Sequence, residues 1–338
     1  MIEHLVRFSL IIFLLCSGFL NAQIHPVKTV DSLLQKGIES LLHNNYDAAL
    51  NSFEKLSFEH PELPFGDIYS AVTLIIKSDD YLIEAEDDRI KSLIESSEKK
   101  SERLIKKDDE SVWNIYGYAL SKGLKAYYYG VRESYLKAFD EGIEALELFQ
   151  ECIEEDDKFY EALIALGTYK YWKSIKLKPV LWMPFLEDEV EAGKNILEKN
   201  LDNSFYNKAL AAYSLVWIYI NDEEYPKAIQ LSISYLNKYP KNRLFLWAKA
   251  RALEETQPLA AVKTYENILD NLPAEGKTLN NIILLKHKMA MIYNKLGNNE
   301  SALALSREIL DVYSEQEISY DIKMRINRVK ELKEKLEE

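Results

Sequence analysis

The feature that most constrains the fold of this chain is a repeated helix-length pattern in which an alanine precedes a proline by 12 residues. The pattern occurs in Tyr46–Pro61, Glu224–Pro240 and Pro258–Pro273, with Ala49, Ala228 and Ala261 at the alanine position. Ala302, in the segment Leu296–Leu310, has the same frame without the proline. A single amphipathic helix pair cannot bury its apolar face alone, so repeated pairs must stack on one another.

Composition favours helices throughout the chain. Glycine (11 residues) and proline (9 residues) are scarce among 338 residues, and leucine, isoleucine, glutamate, lysine and alanine predominate over valine and threonine. Straight-chain side chains lose little rotamer freedom in a helix, whereas glycine and proline disfavour it. We therefore predict an all-α protein.

A second set of positions has a small residue, or in two cases a valine or methionine, within an apolar helix. These positions are Gly37, Ala71, Gly117, Gly167, Val216, Ala250, Ala290 and Met324. The intervals between them are 34, 46, 50, 49, 34, 40 and 34 residues. Small residues at such positions allow paired helices to approach closely, and the intervals predict longer helix pairs in the middle of the chain.

The residues around these positions resemble tetratricopeptide repeats. Trp113, Tyr116 and Gly117 match the W-x2-L-G register of the first helix of such a repeat. Ala145 and Phe149 match positions of the second helix. The resemblance implies a right-handed α-solenoid of stacked antiparallel helix pairs, of the exported bacterial type.

The predicted domain organisation is a signal peptide followed by one solenoid. The signal peptide covers residues 1–22 and the solenoid residues 23–338. Within the solenoid we expect irregular, longer repeats at about 72–205 and regular repeats at about 206–315. The amphipathic C-terminal segment, at about 318–337, is expected to be a capping helix.

The N-terminal segment has the pattern of a secretory leader. Arg7 precedes an apolar run of 13 residues, Phe8–Leu20, which is too short for a membrane span of about 20 residues. We expect cleavage after Ala22 and no membrane span after cleavage, hence a periplasmic or outer-membrane-associated location. An uncleaved anchor and a buried N-terminal helix are the alternatives. Lipidation of Cys16 is less favoured, because Leu15 stands where a lipidation site has a small residue.

Catalytic, metal and nucleic-acid chemistry find little support in the sequence. The five histidines have no metal-ligand spacing, and there is no P-loop, G-x-S-x-G or G-x-G-x-x-G motif. Cys152, alone once the leader is removed, is expected to be a buried structural thiol. The net charge of −13 repels nucleic acid. We therefore predict no enzymatic activity, no cofactor, no metal and no nucleic-acid partner.

Aromatic side chains on the first helices are the candidate partner-binding residues. The tetratricopeptide register implies that the following residues face the concave side of the solenoid: Asn114, Tyr118, Tyr171, Trp172, Tyr213, Trp217, Trp247 and Arg251. Such a row would bind a peptide, since tryptophan, tyrosine and arginine dominate binding hot spots. The alternative for each residue is packing between adjacent helices.

The segment 173–186 interrupts the repeat pattern with two prolines and an apolar run that contains Trp182 and Phe185. We predict that the first helix of this pair turns after Trp172 and that the second helix resumes near Leu186. The insertion either packs over neighbouring helices or contacts a partner, and Trp182 and Phe185 join the candidate binding residues on the second interpretation.

Two functions fit these features. The first is a non-catalytic protein–protein interaction scaffold in the cell envelope that binds a partner peptide or segment in an aromatic-lined groove. The alternative is a small-ligand or glycan-binding surface lipoprotein of a nutrient-uptake system. Cys16, Trp182 and Phe185 would fit the alternative, but the chain is short for that group and lacks its large ligand-binding insertion.

Overall fold

The computed structural model describes residues 24–178, 187–313 and 320–337. The predicted signal peptide, Cys16, Trp182 and Phe185 lie outside the described residues. None of the helices in the described ranges is both long and apolar enough to cross a bilayer.

The described residues form helices and no strand, so the predicted all-α class is confirmed. The helices are α1 (Lys28–Leu42), α2 (Tyr46–Glu59), α3 (Phe65–Tyr81), α4 (Asp87–Ile105), α5 (Val112–Val131), α6 (Tyr135–Glu155), α7 (Tyr160–Leu177), α8 (Val190–Asn200), α9 (Lys208–Asn221), α10 (Tyr225–Lys238), α11 (Arg243–Thr256), α12 (Pro258–Asn271), α13 (Leu279–Lys295), α14 (Asn299–Val312) and α15 (Tyr320–Glu337), with a short 3₁₀ turn at Ala274–Gly276. Each helix packs on the next in sequence order, and this order of packing forms the predicted α-solenoid.

The small-residue positions lie at helix contacts, as predicted for seven of the eight. A Cβ atom added to Gly37 would lie 2.2 Å from the ring of Phe53, so α1 and α2 pack closely. Val216, Ala250 and Ala290 are fully buried. The eighth position is different: Met324 is 44% exposed, because α15 packs through Ile322, Ile326 and Val329 instead.

The two longest helices of the described ranges, α5 and α6, lie in the middle of the chain. α5 and α6 have 20 and 21 residues, whereas α9 to α12 have 14 each. Small residues face one another along the α5–α6 hairpin, so the two helices stay close over their whole length. An ion cluster closes one side of the hairpin: Lys122 is within 3.0 Å of Glu98, Glu141 and Glu144.

The interruption after α7 lies four to five residues later in the chain than predicted. α7 continues to Leu177, five residues beyond Trp172, and α8 begins at Val190 rather than near Leu186. The segment before α8 is tied to α7, because Lys170 and Lys173 both bind the carboxylate of Glu189. The Glu189 N–H also donates to Ser174 Oγ at 2.9 Å, so the helix starts only after this attachment.

The solenoid curls until its first helices contact its later ones. The buried Arg243 at the start of α11 binds Asp80 at the end of α3, 163 residues away, with Nε–Oδ distances of 2.8 Å. Asn281 of α13 donates to the Asp80 carbonyl at 2.9 Å. The Tyr46 hydroxyl donates to the same carboxylate at 2.8 Å. Helices α1–α3 thus lie directly against the connections that precede α9, α11 and α13.

Candidate functional site

A large cavity lies where the first helix faces a later turn of the solenoid. It is a cleft of about 1600 Å³ between α1 and α10, and we call it the α1–α10 cleft. The α6–α7 connection and the segment 201–209 form its remaining walls. Typical small-molecule pockets have roughly 300–1,000 Å³, so this cleft has room for a larger ligand.

The beginning of α1 is anchored at one end of the cleft by Tyr206. The Tyr206 hydroxyl donates to Asp31 Oδ1 at 2.7 Å and accepts the His25 N–H at 2.8 Å. The His25 ring packs edge-on against Phe65 and Trp113, with centroids 5.5 and 5.0 Å away. This burial lowers the pKa of His25 to about 4.

Glu161 holds the segment that presents Tyr206. Its carboxylate is 1% exposed and accepts the N–H groups of Phe205, Tyr206 and Asn207 at 2.6, 3.0 and 3.0 Å. The Ser204 hydroxyl donates to it as well, at 2.9 Å. These amides precede α9 and would otherwise lack an intrahelical acceptor. A buried carboxylate therefore fixes the loop at the floor of the cleft.

The end of α1 is anchored at the other end of the cleft. The Tyr239 hydroxyl donates to Glu39 Oε2 at 2.7 Å. Asn242 Nδ2 donates to the Leu42 carbonyl at 2.9 Å, and Asn44 Nδ2 donates to the Lys241 carbonyl at 2.6 Å. Helix α1 is thus attached at both ends while its middle faces the open cleft.

The walls of the cleft combine rigid aromatic rings with aliphatic side chains. Tyr235 of α10 stacks on Phe245 with centroids 4.4 Å apart and an interplanar angle of 11°. Its hydroxyl donates to the Lys208 carbonyl at 3.2 Å, and burial raises the pKa of this hydroxyl. Ile38 and Leu42 face the cleft from α1. These fixed surfaces can bury apolar side chains of a ligand without first being ordered themselves.

Sequence reasoning missed this cleft. Glu161 has the sequence context of an ordinary acidic residue in the first turn of a helix. Lys36 lies within α1 and Tyr239 directly follows α10, and the sequences of both helices show only amphipathic periodicity. The cleft depends on contacts between residues 175 to 200 positions apart, and no local pattern encodes those contacts.

The predicted concave residues do not form one continuous row. Tyr171 is fully buried, and its hydroxyl donates to Asp222 Oδ1 at 2.5 Å, so it is part of the core. Lys122 Nζ lies 5.5 Å from the centre of the Tyr118 ring. Tyr118 therefore faces the ion cluster that Lys122 forms with Glu98 and its neighbours. Asn114 Nδ2 donates to the Asp108 carbonyl at 3.0 Å.

Four further predicted residues are half-buried, two on α9 and two on α11. Tyr213 and Trp217 contact each other edge-on on α9, with centroids 6.1 Å apart. Trp247 packs on Tyr265 at 5.3 Å. Arg251 pairs with two carboxylates of its own helix at 3.2 and 2.9 Å.

Trp172 contacts Tyr171 edge-on at 5.1 Å and is half-buried. Partner binding by Trp172, Tyr213, Trp217, Trp247 and Arg251 stays a prediction. Cys152 is buried, and burial raises the pKa of its thiol, in agreement with the structural role predicted for it.

No family model and no curated protein matches the sequence. Among solved structures, the chain is similar to the C-terminal part of a TPR repeat-containing protein from Cytophaga hutchinsonii, with 16% identity over 87% of this chain and 99% of that one and a TM-score of 0.42. It is also similar to YrrB, described as a TPR protein with an unusual peptide-binding site, with 14% identity over 68% and 97% of the two chains and a TM-score of 0.45. PilW, described as a type IV pilus biogenesis factor, has 17% identity over 78% and 96% and a TM-score of 0.45.

These likenesses are of fold alone. The stronger observation is the molecule's own: helix pairs stack in sequence order, and the small positions of the repeat register are buried at their contacts. The chain is an α-solenoid of helix pairs that stack in sequence order.

Proposed function

We propose that this protein is a non-catalytic interaction scaffold that binds a segment of a partner protein in the α1–α10 cleft. The observation that carries the proposal is the cleft itself, with its volume of about 1600 Å³ and its attached first helix. Hydrogen bonds at both ends of α1 hold the cleft open without a ligand. Such a preformed site avoids much of the ordering cost of binding.

We further propose that the scaffold acts in the cell envelope. Its support is the leader-like sequence with Arg7 and the run Phe8–Leu20.

Site-specific photo-crosslinking in intact cells tests the proposal. A photoreactive amino acid is introduced at Gln35 or Ser234, two exposed residues that line the cleft from α1 and α10. The matched control is the exposed Lys91 on α4, outside the cleft. We expect the same protein adduct from Gln35 and Ser234 and none from Lys91. Equal adducts from all three positions, or none from the cleft, would contradict the proposal.

A further inference from the structure

We infer that the segment bound in the α1–α10 cleft is an extended, acidic peptide whose carboxylates bind Lys36 and Lys158 while its apolar side chains lie against the walls. This inference rests on the proposed function and specifies the chemistry of its partner. It concerns a cleft formed by the return of the solenoid onto its first helix, not the concave row of first-helix residues.

The balance of charge in the cleft is opposite to that of the chain. Four lysines line it, Lys36, Lys158, Lys208 and Lys238, against three carboxylates, Glu39, Asp156 and Asp202. The whole chain has 42 basic and 55 acidic residues, which gives −13. Charges farther than about 8 Å are largely screened at physiological ionic strength, so the local lysines decide which ligands enter.

Two of the four lysines already have partners. Lys208 Nζ lies 2.9 Å from Asp202 Oδ1, and Lys238 Nζ lies 3.7 Å from Glu39 Oε2. Lys36 and Lys158 differ from them: no carboxylate of the described ranges lies within 4.0 Å of either ammonium. These two ammonium groups are therefore the charges available to a ligand.

The two available lysines belong to different walls. Lys36 is on α1, and Lys158 is in the connection before α7. Ile38, Leu42 and Leu231 provide apolar surface in the same cleft. A ligand that contacts both lysines and this apolar surface therefore needs negative charge and apolar groups in one chain, which an acidic peptide with leucine or phenylalanine supplies.

Other anion-binding groups at the floor are already occupied. The backbone N–H groups of residues 205–207, which would attract an anion at the start of α9, all donate to Glu161. The lysines are thus the groups that select the ligand. A polyanion such as nucleic acid extends beyond the cleft onto the acidic surface of the chain, so two lysines favour a short acidic segment instead.

The test measures binding of three fluorescein-labelled decapeptides by fluorescence anisotropy to the full mature chain. In all three peptides every second residue is leucine or phenylalanine. The residues between them are all glutamate in the first peptide, all glutamine in the second and all lysine in the third. We expect the glutamate peptide to bind most tightly and its affinity to fall as salt increases. Equal affinity of the glutamine peptide, or no binding of the glutamate peptide, would overturn the inference.

The double substitution Lys36→Gln and Lys158→Gln removes both available charges from exposed positions. We expect roughly tenfold weaker binding of the glutamate peptide and no change for the glutamine peptide. Lys91→Gln with Lys99→Gln, also exposed but on α4, makes the same change in net charge outside the cleft and should leave binding within about twofold. Equal losses in both double variants would show a general charge effect and overturn the inference.

This experiment separates the two proposals. If the Gln35 and Ser234 adducts form with one partner and persist in the Lys36→Gln, Lys158→Gln variant, the scaffold stands and its acidic specificity falls. If no adduct forms from the cleft, both fail. Melting temperatures of all variants, measured by circular dichroism, confirm that each protein is folded.

Discussion

At the scale of single residues, this protein uses buried polar groups to attach distant parts of the chain. Tyr206 illustrates the principle: one hydroxyl binds both Asp31 and the backbone of His25, more than 170 residues away. The His25 ring is 5% exposed, so its charged form loses hydration without gaining a full ion pair. Asp31 favours that charge, and His60 opposes it.

Stability should therefore fall as pH is lowered from about 7 to 5. The pKa of His25 is about 4 in the folded chain and about 6.5 in the unfolded one, so the unfolded chain binds more protons in this range. His287 has the same low pKa, from burial and the nearby Arg325, Lys288 and Arg328. Each histidine contributes a loss of about 2 kcal/mol between these pH values.

Urea unfolding at the two pH values measures this loss. The His25→Asn variant offers an amide oxygen to the Val27 N–H in place of the ring nitrogen that accepts it at 3.2 Å. We expect the variant to lose about half of the pH dependence. Unchanged pH dependence in His25→Asn would show that His25 does not contribute in this range.

At the scale of helices, the sequence predicted pairing well because pairing depends on local periodicity and on small residues. Gly167 was identified from the repeat register alone, and it does lie at a close helix contact. Its partner Gly193 had no such signal. A Cβ atom on Gly193 would lie 2.6 Å from both the Gly167 oxygen and the Tyr171 nitrogen.

Gly193→Ala should consequently separate α7 from α8. Backbone atoms cannot move aside as a flexible side chain would, and we expect a loss of about 1–3 kcal/mol in the free energy of unfolding. Gly142→Ala is the matched control in α6, where the new Cβ would meet Ala126 Cβ at an ordinary 3.9 Å. There we expect no loss, or a gain of up to about 1 kcal/mol from helix propensity. Equal effects in urea titrations would contradict this account of the α7–α8 contact.

At the scale of the whole molecule, the return of the solenoid onto its first helices is the part that the sequence did not predict. In the sequence, Asp80 is one acidic residue among many, and Arg243 is a basic residue at the start of a helix with no distinguishing pattern. Their pairing requires the curvature of every repeat between them to be known, and curvature accumulates from small rotations that no motif encodes. The α1–α10 cleft was missed for the same reason. The sequence also could not separate the fully buried Tyr171 from the half-buried aromatics, because both kinds of residue share one sequence pattern.

Asp80→Asn should destabilise the whole chain. It leaves the Arg243 guanidinium, of which 4% is exposed, without its carboxylate, and loss of one partner from a buried ion pair costs about 3–5 kcal/mol. Asp79→Asn is the control next to it in sequence. Asp79 is exposed, and partial desolvation of its carboxylate raises its pKa. Its charge therefore does not stabilise the fold, and its loss should change the free energy of unfolding by less than about 0.5 kcal/mol. Similar urea midpoints for Asp80→Asn and the unchanged protein would show that the contact does not stabilise the fold.

The contact between Asp80 and Arg243 also constrains how this chain can evolve. Open solenoids lengthen or shorten by duplication or loss of a repeat, because each repeat contacts only its neighbours. Here a repeat gained or lost between α3 and α11 would move Arg243 away from Asp80 and Asn242 away from the Leu42 carbonyl. Descendants of this gene should therefore keep the number of repeats between these helices and vary instead in the lengths of their hairpins, as the long α5–α6 pair already does.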